Sequence, residues 1–124
     1  MVFFELFSNN PDMIRIPAGQ TLFNEGEEGH RMFVLTTGSA EVIVKKRVVE
    51  TLVHGNIVGE LSIVSPGPRS ATVRAIEDCE FVAIDEKRFL YLVQQTPFFA
   101  TQVMRVLAER LRAANQLVAP LEEN

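Results

Sequence analysis

The chain has 124 residues, enough for one domain with a real core and little else. Hydrophobic residues make up 47% and charged residues 23%, which excludes a disordered or low-complexity chain. A net charge of -4 and a single cysteine, Cys79, exclude a global basic field for nucleic acid or an anionic membrane, and any disulfide or iron–sulfur framework.

Residues 1–11 hold an apolar cluster (Phe3, Phe4, Leu6, Phe7) stopped by Ser8-Asn9-Asn10-Pro11, which predicts a short N-terminal helix. No cationic stretch precedes it and no apolar run reaches membrane-span length, so a cytoplasmic protein off the membrane is expected. From Met13 to Asp85 the texture is that of short strands: TLFNEG, MFVLTTG, AEVIVKK, VVETLVHG, SATVRAIED and CEFVAID, rich in β-branched and aromatic residues. Gly19, Gly26, Gly29, Gly38 and Gly55 fall between these runs, where turns with positive φ are cheap for glycine. Many short strands with frequent turns predict a mainly β sandwich or barrel.

After Asp85 the period turns helical. Asp85 is a fitting N-cap for EKRFLYLVQQ, and Thr96-Pro97 opens a longer helix running to about Val118. In that helix Met104, Leu107, Leu111, Ala114 and Val118 follow the 3, 4, 3, 4 spacing of a coiled-coil seam. Phe99, Val103 and Val106 form a second stripe. One stripe can face the domain and the other a second copy, so a homodimer through this helix is expected. Arg105, Arg110 and Arg112 are assigned to its polar face. His30 and His54 are surface residues with no metal-spaced partners, and Cys79 is a small buried apolar residue. No nucleophile–base pair, metal set or phosphate-binding Gly-rich loop of the nucleoside-triphosphate type is present, so no enzyme and no cofactor are expected.

The segment from His54 to Ala75 breaks the strand pattern. Gly59-Glu60-Leu61-Ser62-Ile63-Val64 can form one or two helical turns, stopped by Ser65-Pro66-Gly67-Pro68, after which Arg69 begins a strand. A helix start at glycine offers unpaired N–H groups, and with one arginine it makes a local site for a single phosphate. Glu60 accepts hydrogen bonds and suits a sugar hydroxyl beside that phosphate. Two plainer readings compete: Arg69 as a solvated strand-start cation, and Glu60 as a partner of the helix dipole alone.

The run VGELSIVSPGPRSATV, residues 58–73, resembles the phosphate-binding cassette of cyclic-nucleotide-binding domains. Ile16-Pro17-Ala18-Gly19, the run Leu22 to Glu27, Gly29, Met32-Phe33, Thr37-Gly38, Asp78-Cys79-Glu80 and Leu107 to Leu111 extend the likeness over nearly the whole chain. The resemblance implies an eight-stranded jelly-roll β-roll with a short N-terminal helix and two C-terminal helices, the last of which often lids the ligand. It implies cAMP or cGMP as ligand, with cAMP favoured. It assigns Gly59, Glu60, Leu61, Arg69, Ser70 and Ala71 to the site: Arg69, the Ser70 hydroxyl and nearby N–H groups to the cyclic phosphate, Glu60 to the ribose 2′-OH. Asn115 and Gln116 of the last helix are candidates for the base. Val58, His30 and Ser62 depart from the family pattern, and the site is not expected to depend on Ser62. The chain is read as one domain, 1–124, with no helix-turn-helix and no direct DNA binding. The alternatives are the sensor fragment of a catabolite-activator-type regulator, or a ligand-free interaction module. An Arg69–Glu60 salt bridge across a closed pocket would favour the last.

Overall fold

A computed structural model describes residues 13–122, in which ten strands and three helices follow one another. The strands are β1 (Met13–Ile16), β2 (Thr21–Phe23), β3 (Glu28–Gly29), β4 (Met32–Thr37), β5 (Ala40–Val44), β6 (Arg47–Leu52) and β7 (Ile57–Val58). A one-turn helix α1 (Leu61–Val64) leads to β8 (Gly67–Pro68), β9 (Thr72–Ala75) and β10 (Cys79–Ile84). Helices α2 (Glu86–Gln95) and α3 (Phe98–Glu122) complete the order. The predicted N-terminal helix, residues 1–11, lies outside the described residues.

Two four-stranded antiparallel sheets, ordered β1-β10-β4-β7 and β2-β9-β5-β6, account for the eight strands expected of the roll. The extra pair, β3 with β8, sets Gly29 opposite Gly67 and Glu28 opposite Pro68, and so brings the chain before Arg69 against the β3 turn.

Strand β4 carries five buried residues in a row because both of its faces are covered. Alternation sends Phe33 and Leu35 into the layer between the sheets, with Phe81, Ala83, Val73 and Leu52. Met32 and Val34 point the other way, with Val82 and Ile84, onto the helices. There Ile63, Leu92, Phe99 and Val103 close the second core layer.

Of the two helix starts read from sequence, the Asp85 cap is found as expected, whereas α3 begins at Phe98 and Thr96 is the C-cap of α2. The Asp85 side chain accepts from the Arg88 N–H at 2.8 Å, capping α2. The two stripes of α3 separate in part: Phe99 and Val103 are buried and Met104 and Leu111 exposed, whereas Leu107 packs against the core. No helix among the described residues is long and apolar enough to cross a membrane.

At the β5–β6 hairpin Val44 pairs with Arg47, so Lys45-Lys46 is a two-residue turn with both φ values positive (49° and 70°). That geometry favours glycine or asparagine. Lys46→Gly is therefore expected to stabilise the fold by about 0.5–1 kcal/mol, read as a higher urea midpoint at unchanged slope. A lower midpoint would refute that reading of the turn.

Candidate functional site

The cassette folds around a buried arginine. Arg69 is 8% exposed, which excludes the solvated strand-start reading. Its backbone is pinned to the β2–β3 turn: its N–H donates to the Glu27 carbonyl at 2.7 Å, and its carbonyl accepts from Gly26 at 2.9 Å. The guanidinium carbon lies 4.2 Å from the Phe23 ring centroid, a cation–π seat that fixes the plane of the group. Nη1 donates to the Arg31 carbonyl at 2.8 Å and to the Ser62 hydroxyl at 3.0 Å. Ser62, set aside at the level of sequence, is thus one of the groups that orient Arg69. In a buried setting a hydroxyl there supplies the acceptor that a small apolar residue would lack.

Two glycines make room for this side chain. A Cβ on Gly29 would overlap the Arg69 guanidinium, so Gly29, which lacks a positive φ, is required by close approach rather than by a turn. Gly59 has φ +75°, and a Cβ there would sit 2.7 Å from Arg69 Nη1 and 3.0 Å from the Arg31 carbonyl oxygen.

With Nη1 occupied, the Nε and Nη2 donors of Arg69 have no hydrogen-bond partner among the described residues, yet neither is sealed from solvent. No described carboxylate forms a salt bridge with Arg69. Burial, with Arg31 adding to it, holds its pKa below the ordinary arginine value, against the opposing pull of Glu27 and Glu60. A buried cation with an open Nε/Nη2 edge is shaped for bidentate capture of an oxyanion. The adjoining Ser70 is exposed and Ala71 is buried. The N–H groups of these two residues have no backbone acceptor among the described residues.

The helix start itself gives less than expected. Helix α1 has a single turn, and the N–H groups of Ser62 and Ile63 donate to the Gly59 and Glu60 carbonyls at 3.1 and 3.2 Å. Those two groups are spent within the turn, and the positive charge of the site rests on Arg69. Leu61 is half exposed at the surface of the turn.

Glu60 is 4% exposed, and its partner is a side chain from α3 rather than the dipole of α1. Arg110 Nη1 donates to Glu60 Oε1 at 2.6 Å. The same guanidinium donates through Nε and Nη2 to the two oxygens of Glu50 on β6, at 3.1 and 3.0 Å, and through Nη2 to the Ile57 carbonyl at 2.8 Å. Desolvation pulls the Arg110 pKa down, but the Glu50 and Glu60 carboxylates outweigh it and leave the value raised. Glu60 Oε2 keeps no protein partner among the described residues and is not sealed from solvent. The site therefore presents an unpaired cationic edge and an unpaired carboxylate oxygen on the two ends of one short segment, 60–69.

The assignment of Arg110 to the polar face of the last helix is corrected by this geometry. Arg110 falls seven residues after buried Val103 and so shares its stripe, which was the available signal. Arg74 lies outside the site, paired with Glu41 on the surface. Asn115 and Gln116 are exposed on α3. Cys79 is buried, as expected; burial raises its pKa, and its thiol donates to the Ser39 carbonyl at 3.1 Å.

Comparisons with known proteins place this geometry in a family. Residues 13–96 match the model of the cyclic nucleotide-binding domain. Over 113 residues the chain is 30% identical to the CRP-like cAMP-activated global transcriptional regulator of Mycobacterium tuberculosis, covering 87% of this chain and 50% of that protein. The crystal structure of the Thermus thermophilus catabolite activator protein superposes with a TM-score of 0.81 at 28% identity, over 89% of this chain and 54% of that one. A protein of a cyclic-GMP-dependent signalling pathway that regulates bacterial phytopathogenesis gives a TM-score of 0.73 at 28% identity, over 90% of both chains. The chain spans 37% to 59% of the length of the curated relatives it matches. With its two-sheet roll, its cassette and a family match across 13–96, the chain belongs to the cyclic nucleotide-binding domain family.

Proposed function

We propose that this chain is a non-enzymatic sensor module that binds a 3′,5′-cyclic mononucleotide, cAMP in preference to cGMP, and signals through α3. The observation that carries the reading is the open Nε/Nη2 edge of buried Arg69, a cation desolvated at a cost and left without a carboxylate. The cyclic phosphate takes that edge together with the N–H groups of Ser70 and Ala71 and the Ser70 hydroxyl. The ribose 2′-OH donates to Glu60 Oε2, and Gly59 and Leu61 form the wall beside the sugar. Asn115 and Gln116 reach the base when α3 closes. Such closure follows only if the ligand binds the closed arrangement more tightly than the open one.

Exposed Met104 and Leu111, with Ala114, leave one stripe of α3 available to a second copy, which supports a homodimer. Leu107 is shared with the body of the domain, and the Val118 side chain lies outside the described residues. The ligand-free interaction module draws no support from Arg69, because Glu60 pairs with Arg110 and not with it.

Isothermal titration of the chain with cAMP, cGMP and a cyclic dinucleotide tests the reading. Saturable binding is expected with cAMP, weaker with cGMP and absent with the dinucleotide. No heat with either mononucleotide would overturn it.

A further inference from the structure

The two carboxylates on Arg110 are not equivalent. Glu50 holds the guanidinium by its Nε/Nη2 edge, with both oxygens engaged. Glu60 meets only Nη1, through one oxygen. The second Nη2 hydrogen goes to the Ile57 carbonyl, so four of the five N–H donors are assigned. A guanidinium prefers a carboxylate in the two-bond fork, and the fork is here taken by Glu50. Glu60 is the more deeply buried of the two, its side chain 5% exposed against 36% for Glu50. It would therefore be the stronger claimant for the fork if Glu50 lost its charge.

We infer that Glu50 is a positioning residue for ribose recognition: by occupying the bidentate edge of Arg110 it keeps the second oxygen of Glu60 free for the 2′-OH. Nothing in the cassette itself performs this task, since Glu50 sits on β6, ten residues before Glu60, and forms no salt bridge with Arg69. With Glu50 neutral, Arg110 turns its fork onto Glu60, both Glu60 oxygens become engaged, and the sugar hydroxyl loses its acceptor. The phosphate end of the site is unaffected. The inference rests on the cyclic-nucleotide reading above.

The test is a comparison of cAMP with 2′-deoxy-cAMP on the wild-type chain, Glu50→Gln and Glu50→Asp. A hydrogen bond to a charged acceptor corresponds to roughly a tenfold preference of the wild type for the ribonucleotide. Glu50→Gln is expected to reduce that preference to about twofold or less while leaving 2′-deoxy-cAMP affinity within about twofold of wild type, which also reports a folded site. Glu50→Asp, which keeps the charge, is expected to restore most of the preference. An unchanged preference in Glu50→Gln overturns the inference and leaves the ligand reading intact. Failure of the wild-type chain to bind either nucleotide overturns both.

Discussion

Arg69→Met is expected to abolish measurable cyclic-nucleotide binding while leaving the thermal midpoint of the ligand-free chain unchanged or higher. The two effects have opposite causes. Truncating one partner of a buried, hydrogen-bonded charge pair removes about 2–5 kcal/mol of binding, a loss of roughly thirtyfold at the least. In the ligand-free chain the same cation is buried without a salt bridge to any described carboxylate, and burial lowers its pKa. Methionine is an unbranched apolar side chain that can pack beside Phe23, and it removes the cost of a desolvated charge. Gly29→Ala reaches the same end by another route, since the added methyl displaces an arginine that is still present. Its affinity is expected to fall in the same direction by a smaller factor. Calorimetric titration and a thermal melt of each variant check both halves. A variant that melts far lower yet still binds would mean that Arg69 is a structural residue.

Phe99→Ala is expected to cost about 3–5 kcal/mol of stability, a large share of the whole for a domain of this size. Phe99 is fully buried where α3 begins, its ring 5.6 Å from that of Phe89 on α2 and in one cluster with Met32, Val82 and Ile84. Its removal leaves a cavity at the point where α3 is fixed to the sheet, and the melt is expected to shift down by on the order of 10–20 °C. Leu111→Ala is the control on the opposite stripe, where the side chain is 62% exposed. Its effect on the stability of dilute protein is expected to lie within about 0.5 kcal/mol. Equal losses in the two variants would refute the division of α3 into a docked and an undocked stripe.

The parts of the site that lie close together in sequence were legible before the structure. Gly59, Glu60 and Arg69 sit within one segment whose turn residues fix their separation, so residue type and spacing suffice to read them. The first helix cap and the β-roll were legible for the same reason, through Asp85 and the short β-branched runs. What was not legible depends on contacts between distant segments. Arg110 meets Glu60 across 50 residues of sequence and Glu50 across 60, and nothing local distinguishes it from Arg105 or Arg112 except its place on the buried stripe. Gly29 reads as a turn glycine because its real constraint, the Arg69 guanidinium, arrives from the segment between β8 and β9, forty residues later. Ser62 was discounted as a departure from the family pattern, in place of a more usual small apolar residue, whereas here a buried cation claims its hydroxyl.

Residues 111–116 of α3 are all exposed, and Arg110 ties the helix to the domain through Glu50, Glu60 and the Ile57 carbonyl. The stretch from Arg110 to Glu122 is a helical rod of about 18 Å at helical rise. Pivoted at its inner end, such a rod acts as a lever arm: a tilt of about 10° at Arg110 carries the far end through roughly 3 Å. Under the proposed signalling through α3, a rearrangement no larger than the exchange of one hydrogen bond at Glu60 would be magnified into a displacement that a neighbouring molecule packed on the helix would have to accommodate.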